Sequence, residues 1–241
     1  MAILEIVKLF TTEEIIYVEN NRKEKYIDNL HNGSYEFRTG KIYGLVGEVG
    51  SGGEAIVEIL TGRYKTKKQK IYFDDVAVRQ DDIMDNGWYL GKLEYSSYFP
   101  HYEISVKKAL KRAIHQYKYF NNIDEVIDMF YLKRSLINYK LSQYSGERLR
   151  ASLAIGYSSK KNIFCFPWMN SADLYHFMTS GKIYAFFEEL KRNNKIVIIP
   201  TSKKENVRDL VDEIIKIENP TFDSILSKEK QQETLSIISL K

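Results

Sequence analysis

Apolar residues recur with two periods in the first quarter of the chain. Ile3 to Phe10, Glu14 to Val18 and Tyr35 to Phe37 are short stretches separated by polar residues, the pattern of strands and turns, and Lys41 to Val46 follows Thr39-Gly40 as a nearly continuous apolar run. The period then changes. Ala55-Ile56-Val57-Glu58-Ile59-Leu60 reads as a helix that starts near Gly52 and ends at Gly62, where a C-cap belongs. The unit is strand, glycine loop, helix.

Helical spacing governs the middle of the chain. From Val106 to about Ser135, Ala109, Leu110, Ala113 and Ile114, then Ile123, Val126, Ile127 and Phe130, predict two amphipathic helices. A further helix follows Gly146 through Leu149, Leu153 and Ala154. Beyond it, Ile163-Phe164-Cys165-Phe166 and Ile196 to Ile199 are apolar on every residue, as strands covered on both faces are. Between them Ile183 to Leu190 reads as a helix, and after them Val207 to Leu210 reads as a helix and Glu213 to Ile217 as a strand. Alternating β and α predicts an α/β fold with a largely parallel sheet. Residues 221–241 are polar and weakly patterned, a short C-terminal appendage to a unit spanning 1–220.

Composition narrows the class. The 241 residues are 44% hydrophobic and 28% charged, ordinary for a globular chain. No run approaches the roughly 18 apolar residues of a membrane span, and Glu5 and Lys8 interrupt the N-terminal apolar stretch. Cys165 has no partner cysteine, which fits a reducing cytoplasm. Thirty-six basic against 32 acidic residues give a net charge of only +4, and the densest basic run, Lys65 to Lys70, reads as a solvated loop. With no groove-reading or RNA-binding signature, nucleic acid is not an expected partner. His31, His101, His115 and His176 lack metal-ligand spacing, and no Ser or Cys sits in a nucleophile turn, so neither a metal site nor a catalytic residue is assigned.

The candidate chemistry lies in Gly44-Leu45-Val46-Gly47-Glu48-Val49-Gly50-Ser51-Gly52-Gly53-Glu54. A glycine loop between a buried strand and a helix N-terminus can turn its N–H groups toward an anion. A working phosphate loop continues with Lys for the β- and γ-phosphates and Ser or Thr for Mg²⁺, and here Gly53 and Glu54 stand in those places. A unit charge on Glu54 at about 4 Å from a polyphosphate costs roughly 4 kcal/mol at an effective dielectric near 20. Tight binding of ATP in the usual pose is not expected.

Downstream, Leu141-Ser142-Gln143-Tyr144-Ser145-Gly146-Glu147-Arg148-Leu149-Arg150 resembles the signature motif and helix of the ATP-binding subunits of ABC transporters, with one residue deleted beside Gly146. With that gap, Tyr144, Ser145, Gly146 and Glu147 stand for the signature. The family's spacing then puts the Walker B strand at Ile163 to Phe166 and its acidic pair at Pro167 and Trp168, which can neither hold Mg²⁺ nor polarise water. Asn170-Ser171-Ala172-Asp173 resembles a scrambled D-loop, and Ser202 takes the place of the switch histidine. The Q-loop falls among Gly91, Lys92 and Glu94 without a glutamine. Tyr17 and Tyr26 are the aromatics available to stack on adenine.

The resemblance implies a P-loop NTPase-like core with an N-terminal antiparallel β subdomain and a helical subdomain inserted at about 95–155. It also implies a cytoplasmic subunit on the inner face of the membrane, joined to a permease and to a second ATP-binding subunit, a different one rather than a copy. ATP with Mg²⁺ is expected only weakly or through that partner. Two other readings stay open: a non-enzymatic scaffold or regulatory module with the same fold, and a slow ATPase in which Glu54 takes Mg²⁺ directly.

Overall fold

The computed structural model describes residues 4–19, 25–91, 104–144, 147–179 and 183–218. In chain order the first half forms β1 (Ile6–Thr11), β2 (Glu14–Glu19), β3 (Lys25–Leu30), β4 (Gly33–Arg38), β5 (Lys41–Val46), α1 (Gly53–Leu60), β6 (Lys70–Phe73), β7 (Val76–Ala77), α2 (Gln80–Asn86) and β8 (Gly87–Tyr89). The second half forms α3 (Val106–Tyr117), α4 (Ile123–Met129), α5 (Arg148–Ser158), β9 (Ile163–Cys165), α6 (Ser171–Thr179), α7 (Ile183–Arg192), β10 (Ile196–Thr201) and β11 (Glu213–Lys216).

The strands that are apolar on both faces form the centre. β5, β9 and β10 lie in a five-stranded sheet of order β11-β5-β10-β9-β8, whose every pairing is parallel. Its two faces feed two cores. Ile163, Cys165, Ile196 and Ile198 pack with α1, while Phe164, Phe166, Val197 and Ile199 pack with α3, α5 and α7. Continuous apolar sequence is what burial on both sides demands.

β1 instead alternates, with Val7, Leu9 and Thr11 buried, and pairs antiparallel with β4 and β6 in a separate sheet of order β4-β1-β6-β7. One face of that sheet is enough for a core. β2 and β3 form an antiparallel hairpin beside α1. The fold is therefore α/β, a parallel sheet with an antiparallel β layer. Lys65, Lys67 and Lys68 are exposed in the loop before β6, and Cys165 is fully buried in β9. The appendage expected at 221–241 lies outside the described residues.

One expected helix is absent. Lys204–Asn206 form a single 3-10 turn, and Val207 to Leu210 continue as turns with hydrogen bonds alternating between three- and four-residue spans. Asp212 is already tied to β5, its N–H donating to the Ile42 carbonyl and its carboxylate accepting from the Ile42 N–H, so no length remains for a helix. β3, β7, α2, β8 and α6 are elements the periodicity did not predict.

Candidate functional site

At the end of β5 the chain turns through residues 47–52 into α1. The Gly47 N–H donates to the Thr201 carbonyl at the end of β10 (2.9 Å), which pins the start of the loop to the sheet. Gly50 and Gly52 sit at φ of 86° and 107°, where only glycine is unstrained. Ser51 turns inward, its hydroxyl donating to the Glu48 carbonyl at 2.6 Å. A Cβ on Gly47 would lie 2.4 Å from that hydroxyl oxygen, so the serine fills the inside of the turn.

β3 presses against the start of the helix. Its Asp28 side chain, 1% exposed, accepts from the Gly52 N–H (2.8 Å) and the Ala55 N–H (2.7 Å). Burial pushes the Asp28 carboxyl up to about 6, against the N–H groups of Ala55, Gly52 and Glu54 that favour its charged form. The backbone is equally close: a Cβ on Gly52 would lie 2.8 Å from the Asn29 carbonyl oxygen.

Glu54, also 1% exposed, points into the sheet. Its carboxylate accepts from the Tyr89 hydroxyl at the end of β8 and from the Trp168 N–H just after β9 (2.5 Å). Burial pushes this carboxyl up to about 7, and the two hydrogen bonds oppose the shift. Burial and then the Glu54 charge raise the Tyr89 phenol well above its ordinary range. The Trp168 indole N–H reaches the Gly47 carbonyl at 3.4 Å, and a Cβ on Gly53 would meet Ile217, Pro200 and Trp168 at 3.5 to 3.8 Å.

The structure thus brings Gly47, Glu48, Val49, Gly50, Ser51, Gly52, Gly53 and Glu54 together with Pro167 and Trp168, and places Ser202 just past the end of β10. Glu54 does not carry a full unit charge toward the loop. It is directed at Tyr89 and Trp168, and burial favours its neutral form, so the repulsion expected from sequence is reduced.

At the signature, Tyr144 is buried, its phenol pushed up to about 12 by burial and the neighbouring Glu147. Glu147 lies between Lys133 (3.0 Å) and Arg150 (2.9 Å). Burial alone would raise its carboxyl, but those two cations hold it below the usual range. Ser145 and Gly146, and Lys92 and Glu94 of the Q-loop region, lie outside the described residues. Tyr17 is exposed and Tyr26 half-buried.

Asp28 and Tyr89 are the residues sequence reasoning missed. The signal for Asp28 is the inward alternation of Tyr26, Asp28 and Leu30 opposite the apolar Glu14 to Val18, which puts a carboxylate on the buried face of a hairpin. Tyr89 left no local signal. The loop, residues 47–54, supplies no cationic side chain, and the helix-start amides of Gly52 and Ala55 face Asp28.

A family model described as "ABC transporter" matches residues 30–166. The microcin-J25 export ATP-binding/permease protein McjD of Escherichia coli is 36% identical over 69 residues, a segment that is 27% of this chain and 12% of that protein. Among solved structures, cbiO1 of Clostridium perfringens, part of the ABC transporter complex cbiONQ, aligns with a TM-score of 0.61 at 14% identity, over 89% of this chain and 85% of that one. The ATP-binding cassette MJ0796, dimeric and bound to ADP and Pi, aligns at 0.59 and 17% identity, over 88% of this chain and 94% of that one.

Proposed function

The chain belongs to the ABC transporter family, and from that premise we propose that it is an ATP-binding-type subunit that has lost hydrolysis and works beside a competent partner. The observation that carries the reading is the helix start, where Gly53 and Glu54 stand in place of the phosphate-binding lysine and the metal-binding hydroxyl. Pro167 and Trp168 in place of the acidic pair remove metal support and the water-positioning base together. Catalytic residues are accordingly none.

What the chain keeps is the other half of such a site. Tyr144, Ser145, Gly146 and Glu147 remain to meet a γ-phosphate held in a second subunit's loop, which makes a different, competent subunit the natural partner. The 1–220 unit, with its helical insertion at about 95–155, then acts as the lever on a transmembrane permease at the inner face of the membrane. No helix among the described residues is long and apolar enough to cross a membrane itself. McjD is an export ATP-binding/permease protein and cbiO1 is part of the ABC transporter complex cbiONQ, and both support the reading of a permease partner.

The residue missing beside Gly146 favours a second reading, a scaffold that uses the fold without nucleotide. Titration of the isolated chain with MgATP by calorimetry tests the loss of the site. We expect no binding heat at 1 mM nucleotide; micromolar affinity would overturn the proposal and restore a chain that binds ATP through unconventional ligands.

A further inference from the structure

We infer that the chain's own carboxylates replace the nucleotide: Asp28 occupies the amides of the phosphate loop, and Glu54 ties the loop helix to the ends of β8 and β9. The inference rests on the degenerate-subunit reading and says how the empty role is filled.

A phosphate at a helix N-terminus is held by N–H groups that converge on its oxygens. Here the Gly52 and Ala55 donors already have an anion. Asp28 spans the helix start, one oxygen on Gly52 N and the other on Ala55 N, with the Glu54 N–H also turned toward it. The Gly47 N–H is spent on Thr201 and the Ser51 N–H on Glu48. Asp28 cannot easily swing aside, because Asn29 next to it donates its N–H to the Gly50 carbonyl (3.0 Å) and its own carbonyl lies 2.8 Å from where a Cβ on Gly52 would sit. A phosphate must therefore displace a buried carboxylate and move a strand.

Glu54 completes the replacement. The hydroxyl expected at its position would reach the acidic strand end through a metal ion; the longer carboxylate reaches the Trp168 N–H directly and takes the Tyr89 hydroxyl as well. Three elements, α1, β8 and the segment after β9, meet on one side chain. Trp168 closes the remaining gap by donating its indole N–H to Gly47. These hydrogen bonds hold the loop from within the chain, so this subunit is expected to present one conformation whatever the nucleotide level.

The test separates Asp28 from the missing lysine. Restoring the loop by Gly53→Lys with Glu54→Ser is expected to leave MgATP binding weak, and adding Asp28→Asn or Asp28→Ala is expected to tighten it at least ten-fold by calorimetry. Equal affinity of the double and triple variants would overturn the role of Asp28. Hydrogen exchange on the wild-type chain gives a reading that does not depend on any variant folding. Amides of residues 50–56 are expected to be protected without ligand and unchanged by 1 mM MgATP or pyrophosphate. Rapid exchange that slows on adding either ligand would sink the inference. Micromolar MgATP binding by the wild type would instead sink the degenerate-subunit reading itself.

Discussion

A buried carboxylate is costly to strip of its partners and costly to charge, and Glu54 and Asp28 meet both conditions. Glu54→Ala leaves the Tyr89 hydroxyl and the Trp168 N–H without their acceptor, so a loss of about 1–3 kcal/mol is expected, read from the urea midpoint. Glu54→Gln keeps an oxygen and should lose less. The pH dependence follows from the same two groups. In the native state Asp28 stands at about 6 and Glu54 at about 7, both above their ordinary values, so the folded chain binds more protons than the unfolded one in the window between. Their contribution is fully present below about pH 4 and is lost as pH rises through about 7. Combining Asp28→Asn with Glu54→Gln removes both titrations. Relative to that variant, the wild-type urea midpoint should therefore fall between pH 5 and pH 7.5, and equal slopes for the two proteins would count against buried, titrating carboxylates.

At the scale of elements, the join between α5 and β8 depends on one small residue. Gly156 faces Trp88, and a Cβ there would lie 2.5 Å from the indole, which is itself fixed by donating its N–H to the Ser152 carbonyl at 2.9 Å. Gly156→Ala gains about 1 kcal/mol of helix propensity but overpacks the core at a cost of about 1–3 kcal/mol. The melting temperature is expected to fall by a few degrees, and more for Gly156→Val. Legibility divides along similar physical lines. β5, β9 and β10 could be read because burial on both faces writes itself as continuous apolar sequence, and α3 because one buried face imposes a 3.6-residue period; α1, buried on all sides, was legible as an apolar run entered from a glycine loop and stopped at Gly62. α2 escaped because Gln80–Asn86 buries only Ile83 and its helix shows no apolar stripe. β3 escaped because Asp28 interrupts its inner face, and that residue's value depends on amides more than twenty positions away. The glycine loop was legible as geometry. Who occupies it was not, since the alternation of β3 marks Asp28 as inward-facing but does not say which amides it meets.

For the whole molecule, the arrangement of the two cores argues for company. Helix α1 belongs to the core on one face of the parallel sheet, while Tyr144, at the start of the signature, belongs to the core on the other. On the proposed reading, a site that needs both a phosphate loop and a signature is completed by a second subunit. Self-pairing would then give two sites that each contain the self-filled loop. Pairing with a competent subunit would give one working site, built from that subunit's loop and this chain's signature. The complex recovered from native membranes through a tag on this chain is accordingly expected to contain a different ATP-binding subunit. A photoreactive ATP analogue should label that subunit and leave this chain unlabelled, and Gly146→Asp on this chain should lower the complex's ATPase rate at least ten-fold without lowering this chain's own melting temperature. Label on this chain, or recovery of only a second copy of it, would refute the asymmetric pair. An unchanged rate with Gly146→Asp would show that the signature is not used, and would leave the scaffold reading in its place.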